Sequence, residues 1–484
     1  MRGKRPATEC PTIRPRRAIV SPMVGRSHGR WIGLMLATLL GVDGCATYAD
    51  LPLGAGTGAA SVARLTAPTS RMPLPALSAH RFDPSDGLDV TEVAMLAVAN
   101  SPELRLKRDE LGLARAQAFA AGLLPDPQLA LSADFPRQSG AGFSTGYSLG
   151  LSEDVSALLT RSSRRAAARS QASQVNLDLL WAEWQTVAQA RLLFDEVLNL
   201  RAQQARLARE QDALAAVSRY IHAALQAGNL TYDSASAGLN AAADVHKRLA
   251  DTAVALHQAQ SDLHLLLGLA PTAPLDLVGA PYASQPTPAQ VQAALDDLPR
   301  RRPDLLALQA GYQSQEAKVR SAILAQFPAL NIGFNTARDT SAVYTHGLSI
   351  GITLPLFDRN RGNIAIERAT RQQLHDDYAA RMLSTRSDIL RITRDLATLD
   401  AQLTVLTAHA RQLDRARASA ERAWQAGTLD WPTWLAIRSS ALGADLDLLN
   451  AQRERARQSI ALEALLGNTD LAATHPVPTQ ASTP

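Results

Sequence analysis

Cysteine is nearly missing from this sequence: 484 residues contain two, Cys10 and Cys45. That excludes a disulfide-built scaffold and a thiolate metal cage. Aromatic residues are sparse, at 5%. No P-loop or HExxH motif occurs, so common signatures of nucleotide and zinc-peptidase chemistry are absent. The GxSxG strings that start at Gly25, Gly142, Gly146 and Gly347 do not sit at the strand-to-helix turn that acyl-transfer chemistry needs. We therefore expect no enzyme, no catalytic residues, no cofactor and no metal site. The ten histidines are scattered; His257 and His264 share a helix face, where a solvated surface is a plainer reading than a metal site. An excess of one charge is also lacking. Residues 1–44 hold eight Lys/Arg against two acids, leaving 41 basic and 43 acidic residues in the remainder. The formal +4 is thus local, and no nucleic-acid surface is expected.

The uncharged run Trp31–Val42 is 12 residues long, too short to span a bilayer as a helix. With Arg26 and Arg30 before it and "VDGC" after it, it reads as a secretory signal over 1–44. The segment resembles a bacterial lipoprotein signal, which makes Cys45 the lipidation site; ordinary cleavage after Ala49 is the other reading. Cys45 has no disulfide partner once Cys10 is removed with the signal. A Pro/Gly/Ala/Ser-rich stretch follows, so 45–87 is expected to be a lipid-anchored extension.

What fills the rest is Ala, Leu, Gln and Arg, the composition of long helices. The chain also repeats itself. "SPEL" at Ser101 matches "RPDL" at Arg302, "PQLALSADF" at Pro127 matches "PALNIGFNT" at Pro328, and "FSTGYSLGLS" at Phe143 matches "YTHGLSIGIT" at Tyr344, all 201 residues apart. "LQAGNL" at Leu225 matches "WQAGTL" at Trp424, and Gly268 matches Gly467, 199 apart. Two copies of one large unit are expected, 88–270 and 288–468, with a Pro-rich linker 271–287 and a tail 469–484.

Each unit reads in one order. A first helix (about Thr91–Leu123, Pro288–Leu324) is followed by two strands, expected near 127–135 and 144–153, then near 328–336 and 344–354. A long helix follows (about Thr160–Ala227, Asn360–Ala426), then a glycine break at Gly228 or Gly427, then a return helix. Leu396, Leu399, Leu403, Leu406, Ala410 and Leu413 keep heptad steps, as do Leu214, Val217, Ile221 and Ala224. That is coiled-coil packing on rods of roughly 100 Å.

All four strands alternate apolar with small or polar residues, as a transmembrane β-strand does. The expected lipid-facing set is Leu129, Leu131, Phe135, Tyr147, Leu149, Leu151, Leu330, Ile332, Phe334, Leu348, Ile350 and Ile352. A soluble sheet covering a helical core would alternate in the same way. Four strands cannot close a barrel and lipid tolerates no open edge, so several chains must share one. Two copies are possible; three give twelve strands.

With the duplicated unit, "RPDL" at Arg302, "PAL" at Pro328, "LPLFDRNR" at Leu354 and the paired "QAG" tips, the chain resembles the outer membrane factors, the TolC-like efflux proteins of Gram-negative bacteria. The resemblance implies a mainly α protein with a small β part. It implies a homotrimer whose twelve-stranded outer-membrane barrel stands on a long periplasmic α-helical barrel. It also implies an exit duct for small molecules such as drugs or metal ions, served by a periplasmic adaptor and an inner-membrane pump, most readily of RND type. A duct for secreted polypeptides and a non-channel periplasmic coiled coil are the alternatives. The hairpin loops, about Pro136–Gly142 and Ala337–Val343, would face the exterior. The helix tips Gly228, Asn229, Leu230, Gly427, Thr428 and Leu429 would meet the adaptor. Asp233 and Asp430 are read first as helix caps. As the sharper alternative they are a candidate periplasmic gate, with Asp233 in a ring of three carboxylates.

Overall fold

The computed structural model describes residues 48–54, 56, 58–137, 142, 144–281 and 286–467. The signal segment, Cys45, part of the first hairpin loop and the tail lie outside the described residues. Two units divide the chain, Met1–Gly56 and Thr57–Pro484. The described residues of the first carry no helix or strand. Everything below concerns the second.

Its elements are α1 (Pro75–Ala79), α2 (Val90–Asn100), α3 (Pro102–Ala120), β1 (Gln128–Asp134), β2 (Gly146–Asp154), α4 (Ser156–Gln226) and α5 (Tyr232–Leu266). There follow α6 (Pro288–Asp296), α7 (Leu298–Arg301), α8 (Pro303–Leu324), β3 (Ala329–Arg338), β4 (Tyr344–Thr353), α9 (Arg361–Gln425) and α10 (Trp431–Leu466). Among the described residues no helix is long and apolar enough to cross a membrane.

The first helix of each repeat is shorter than the sequence suggests. Instead of one helix over 91–123 there are α2 and α3, broken at Ser101. Instead of one over 288–324 there are three, broken before Pro299 and Pro303. The reason is chemical: proline has no N–H to return to the preceding turn and pushes the residue before it out of the helical region. Ser101 and Arg302 both adopt extended ψ, at 127° and 124°.

These breaks make the equator of the molecule. The return helix α5 ends at Gly268 (φ +68°), and a Cβ there would lie 2.8 Å from the Asn100 carbonyl. The return helix α10 ends at Gly467 (φ +67°), whose Cβ would lie 2.7 Å from the Arg301 carbonyl. Thus α5 abuts the start of α3, and α10 abuts the start of α8. Arg302 locks the second junction. It is buried, grips Asp304 with two hydrogen bonds (2.9 and 2.7 Å), donates to the Leu465 carbonyl at 3.2 Å and stacks 4.8 Å from the Trp181 ring. An apolar core including Met95, Leu96, Phe194, Leu263 and Leu267 surrounds the first junction.

The long helix α4 has 71 residues and α9 has 65, rods of roughly 100 Å. Near the sheet α4 packs between α3 and α8; toward the tips it packs on α5 and α10. The heptad residues Leu214, Val217, Ile221 and Ala224 are buried. On α9, Leu396, Leu399, Leu403, Leu406 and Leu413 are half-buried and Ala410 is buried, along the seam with α10. His264, read from sequence as part of a solvated face, is instead buried at the equator. Its ring nitrogens face the carbonyls of Gln260 (2.6 Å) and Ala273 (2.9 Å). His257 is exposed, so the two rings do not form a site.

Candidate functional site: a two-faced sheet, its open edges and the helix tips

The four strands pair antiparallel in chain order, β1-β2-β3-β4. Opposed residues of neighbouring strands share a face, so rows can be read across the sheet. One row is Leu129, Leu151, Phe334, Leu348; the next is Leu131, Leu149, Thr336, His346. Ile332 and Ile350 pair on the same face, as do Leu330 and Ile352. Toward the hairpin loops the row is Ala133, Tyr147, Arg338, Tyr344, with the Arg338 guanidinium 5.7 Å from the Tyr344 ring. The opposite face carries Gln128, Ser152, Gly333, Ser349 and, next to it, Ala130, Gly150, Asn335, Gly347. Beyond these lie Ser132 and Ser148, whose hydroxyls share a 2.8 Å hydrogen bond.

The sheet therefore has one apolar face and one small, polar face. Eleven residues of the expected lipid-facing set fall on the apolar face. Phe135 lies one residue past the end of β1 and is exposed. All of these but the half-buried Leu330 are solvent-exposed in the single chain, from Leu149 at 41% to Leu348 at 81%. Neither β1 nor β4 has a second strand partner among the described residues, and every residue of both is exposed.

Below the sheet the flanks of the helical part are also apolar. Leu106 and Leu113 on α3 and Val254 and Leu265 on α5 are exposed on one side. Ile366, Leu383, Leu390 and Val405 are exposed on α9.

At the far ends of the long helices, Gly228 and Gly427 both have φ +71°. Each closes the same two-bond cap: Gly228 and Asn229 donate to Leu225 and Ala224, and Gly427 and Thr428 donate to Trp424 and Ala423. Leu230 and Leu429 fold back onto the tip core. Asp430 is the N-cap of α10, accepting from the Thr433 N–H at 2.8 Å. The Thr433 hydrogen bonds hold its carboxyl below the usual range. Asp233 is not a cap. Because α5 begins at Tyr232, Asp233 lies inside the first turn, exposed.

The tips hold a polar lock that single-helix patterns do not reveal. Arg438 on α10 grips Glu210 on α4 with two hydrogen bonds (3.0 and 2.7 Å) and Glu421 on α9 at 2.9 Å. It also lies 4.8 Å from the Trp434 ring, whose N–H donates to Glu421 at 2.9 Å. Gly238 lets this core close, since a Cβ there would lie 2.3 Å from Ile221 Cδ1 and 3.0 Å from Trp431. Among the described residues no cluster of His, Cys, Asp and Glu is arranged to hold a metal.

The family model described as outer membrane efflux protein matches residues 294–468. The cobalt-zinc-cadmium resistance protein CzcC of Cupriavidus metallidurans is 30% identical over 238 residues, 48% of this chain and 52% of that protein. The pyoverdine export outer membrane protein OpmQ of Pseudomonas putida is 27% identical over 416 residues, 78% of this chain and 86% of that protein. The chain spans about half the length of the first curated relatives it matches, at 52% and 59%. Among solved structures, CusC superposes with a TM-score of 0.65 at 18% identity, covering 88% of this chain and 100% of that one. The outer-membrane channel OprN superposes at 0.67 and 16% identity, again over 88% and 100%. These likenesses carry the fold, and the sequence match makes the second repeat, residues 294–468, similar to the outer membrane efflux protein family.

Proposed function

We propose that the chain is one of three identical protomers of an outer-membrane exit duct. The carrying observation is the sheet with an exposed apolar face and two open edges. In lipid each unpaired backbone group costs several kcal/mol, so the edges must be mated. Strands alternate in direction from β1 to β4, so β4 of one copy beside β1 of the next continues the antiparallel order. Two copies would make eight strands, a barrel filled by its own side chains; three make twelve, with room for a lumen. The small, polar face then lines that lumen and the apolar face meets lipid. The exposed apolar flanks of α3, α5 and α9 are covered by neighbouring copies in the same closure.

Small molecules such as metal ions or drugs are the cargo in this reading. Kinship with proteins named for cobalt, zinc and cadmium resistance and for pyoverdine export supports it. The tips Gly228–Leu230 and Gly427–Leu429 dock a periplasmic adaptor, which joins the duct to an inner-membrane pump of RND type. Cys45 carries the lipid anchor. Native mass spectrometry of detergent-purified protein is expected to give three chains, and planar bilayers are expected to show discrete conductance. A stable monomer with intact strands overturns the barrel. Cys45→Ser is expected to abolish palmitate labelling and leave the trimer intact; unlabelled wild type overturns the anchor.

A further inference from the structure

Just below the sheet, the end of α3 and the start of α4 enclose a groove of about 360 Å³. Its walls include Phe119, Leu123, Arg161, Arg165 and Arg169. Phe119 is 72% and Leu123 53% exposed. Above it runs an apolar collar that continues the lipid face: Leu123, Leu124, Leu158 and Leu159 are all exposed.

The charge is one-sided. Residues 112–125 and 155–177 contain no Asp or Glu, yet they hold Arg115, Arg161, Arg164, Arg165 and Arg169. Arg161 is fixed by donating to the Gly122 carbonyl through Nε (3.0 Å) and Nη2 (2.6 Å). Neither Arg165 nor Arg169 meets a carboxylate among the described residues. Helical side chains lean toward the helix N-terminus, which for α4 is the sheet end, so these arginines lean toward the membrane. A second groove, between the start of α4, the end of α8 and the start of α9, is different. It is lined by Arg164 and Lys318 but also by Glu367, which offsets the charge.

We propose that this groove binds an anionic phospholipid of the periplasmic leaflet. Its phosphate lies among Arg161, Arg165 and Arg169, and its acyl chains follow Phe119, Leu123 and the collar. The apolar wall and the arginine spacing fit one amphiphile better than a free anion. The outer-membrane placement comes from the reading above, but the charge asymmetry between the two grooves is independent of it.

The test is native mass spectrometry of the full, detergent-purified assembly titrated with phosphatidylglycerol or phosphatidylcholine. Phosphatidylglycerol is expected to be retained in preference, at one per protomer. Each arginine near a bilayer contributes about fivefold in affinity. Arg165→Gln with Arg169→Gln is therefore expected to weaken retention roughly 25-fold, while Arg359→Gln with Arg368→Gln, a charge-matched change in the second repeat, leaves it unchanged. Both variants are expected to keep the oligomer and its conductance; a wild-type protein that is monomeric and non-conducting would count against the duct and not against the groove. Equal retention of the two lipids overturns the proposal. So does full competition by inorganic phosphate, which would leave only an anion site. Oligomer dissociation in Arg165→Gln/Arg169→Gln, without loss of lipid, would assign the groove to a neighbouring protomer and overturn it as well.

Discussion

The helices α4 and α9 hold the same place in the two repeats, yet α4 buries nineteen side chains and α9 buries five. Length does not explain this, since they differ by six residues in 71. Position does. α4 is walled by α2, α3, α5, α8 and α10, whereas α9 touches α8 and α10 and leaves one flank open. α9 exposes Ile366, Leu383, Leu390 and Val405, and α3 and α5 expose Leu106, Leu113, Val254 and Leu265. Two different surfaces suit a head-to-tail contact, the kind that the proposed ring of copies needs. Duplication supplied the second helix; in the ring proposed above, the surface that covers it is the first repeat of a neighbouring copy.

The two repeats meet again at the tips, and there the largest effect is expected. Arg438→Ala leaves the buried Glu210 and the half-buried Glu421 without the guanidinium that binds both. Removing one partner of a buried pair costs about 3–5 kcal/mol. Hydrogen exchange is expected to rise in the last turns of α4 and α9, while the equatorial core around Phe194 stays protected. Unchanged exchange at the tips would mean the lock is solvent-screened and carries little.

The α4/α9 contrast itself breaks differently. Leu390→Asp with Val405→Asp is expected to leave the secondary structure of the single chain intact and to dissociate the oligomer, read by native mass. Phe194→Ala on the buried helix is expected to do the reverse, lowering thermal stability by about 3–5 kcal/mol. If both variants lower stability alike and neither changes the assembly, the open flank is not an interface.

Glycines sharpen the comparison, because here the repeats agree. At Gly228 and Gly427 a Cβ meets nothing within 4 Å, so alanine adds only left-handed strain, roughly 1–2 kcal/mol. At Gly268 and Gly467 the same strain is joined by a clash with the Asn100 or Arg301 carbonyl. Alanine at the two equatorial sites is expected to cost more than at the two tips in chemical unfolding. The opposite order would overturn the end-to-end junctions.

How much of this was legible in the sequence follows from the range of each interaction. Strand alternation, heptads and left-handed glycines are local, and their signals are written within a few residues. The double break in the first helices was visible in Pro102, Pro299 and Pro303, and a reading by hydrophobic periodicity passed over it. Arg438 and Glu210 are 228 residues apart. Nothing in either helix marks them as partners, because an arginine and a glutamate among Ala and Gln look solvated. His264 differs from its sequence reading for the same reason: beside the Gln260 carbonyl of its own helix, its second partner, the Ala273 carbonyl, is brought in by the turn that follows α5. Asp233 was read as a cap by analogy with Asp430, but its helix starts one residue earlier.

A smaller asymmetry lies at the equator, where burial raises the carboxyl of Glu183 above its usual range, partly opposed by Arg108 at 3.0 Å. The folded state thus holds this proton more tightly than the unfolded chain. Stability from this group is greatest below the unfolded value near 4.3 and falls as pH rises through the raised folded value. Glu183→Gln is expected to flatten that part of the stability–pH curve.

The smallest effect separates the two tip carboxylates. Asp430 caps α10, and its lowered carboxyl means its contribution is present above the ordinary carboxylate range and lost as pH falls through the folded value. Asparagine caps as well as aspartate, so Asp430→Asn is expected to keep the tip intact and Asp430→Ala to fray the start of α10 in hydrogen exchange. Asp233 has no capping bond to lose, so Asp233→Asn is expected to leave tip exchange unchanged. If three copies of Asp233 face one another across the mouth, their removal acts on ions instead. Cation selectivity, read as the reversal potential in a KCl gradient, is expected to fall, and block by divalent cations is expected to weaken. An unaltered reversal potential in Asp233→Asn would remove the carboxylate ring and leave Asp233 a solvated residue of a first helical turn.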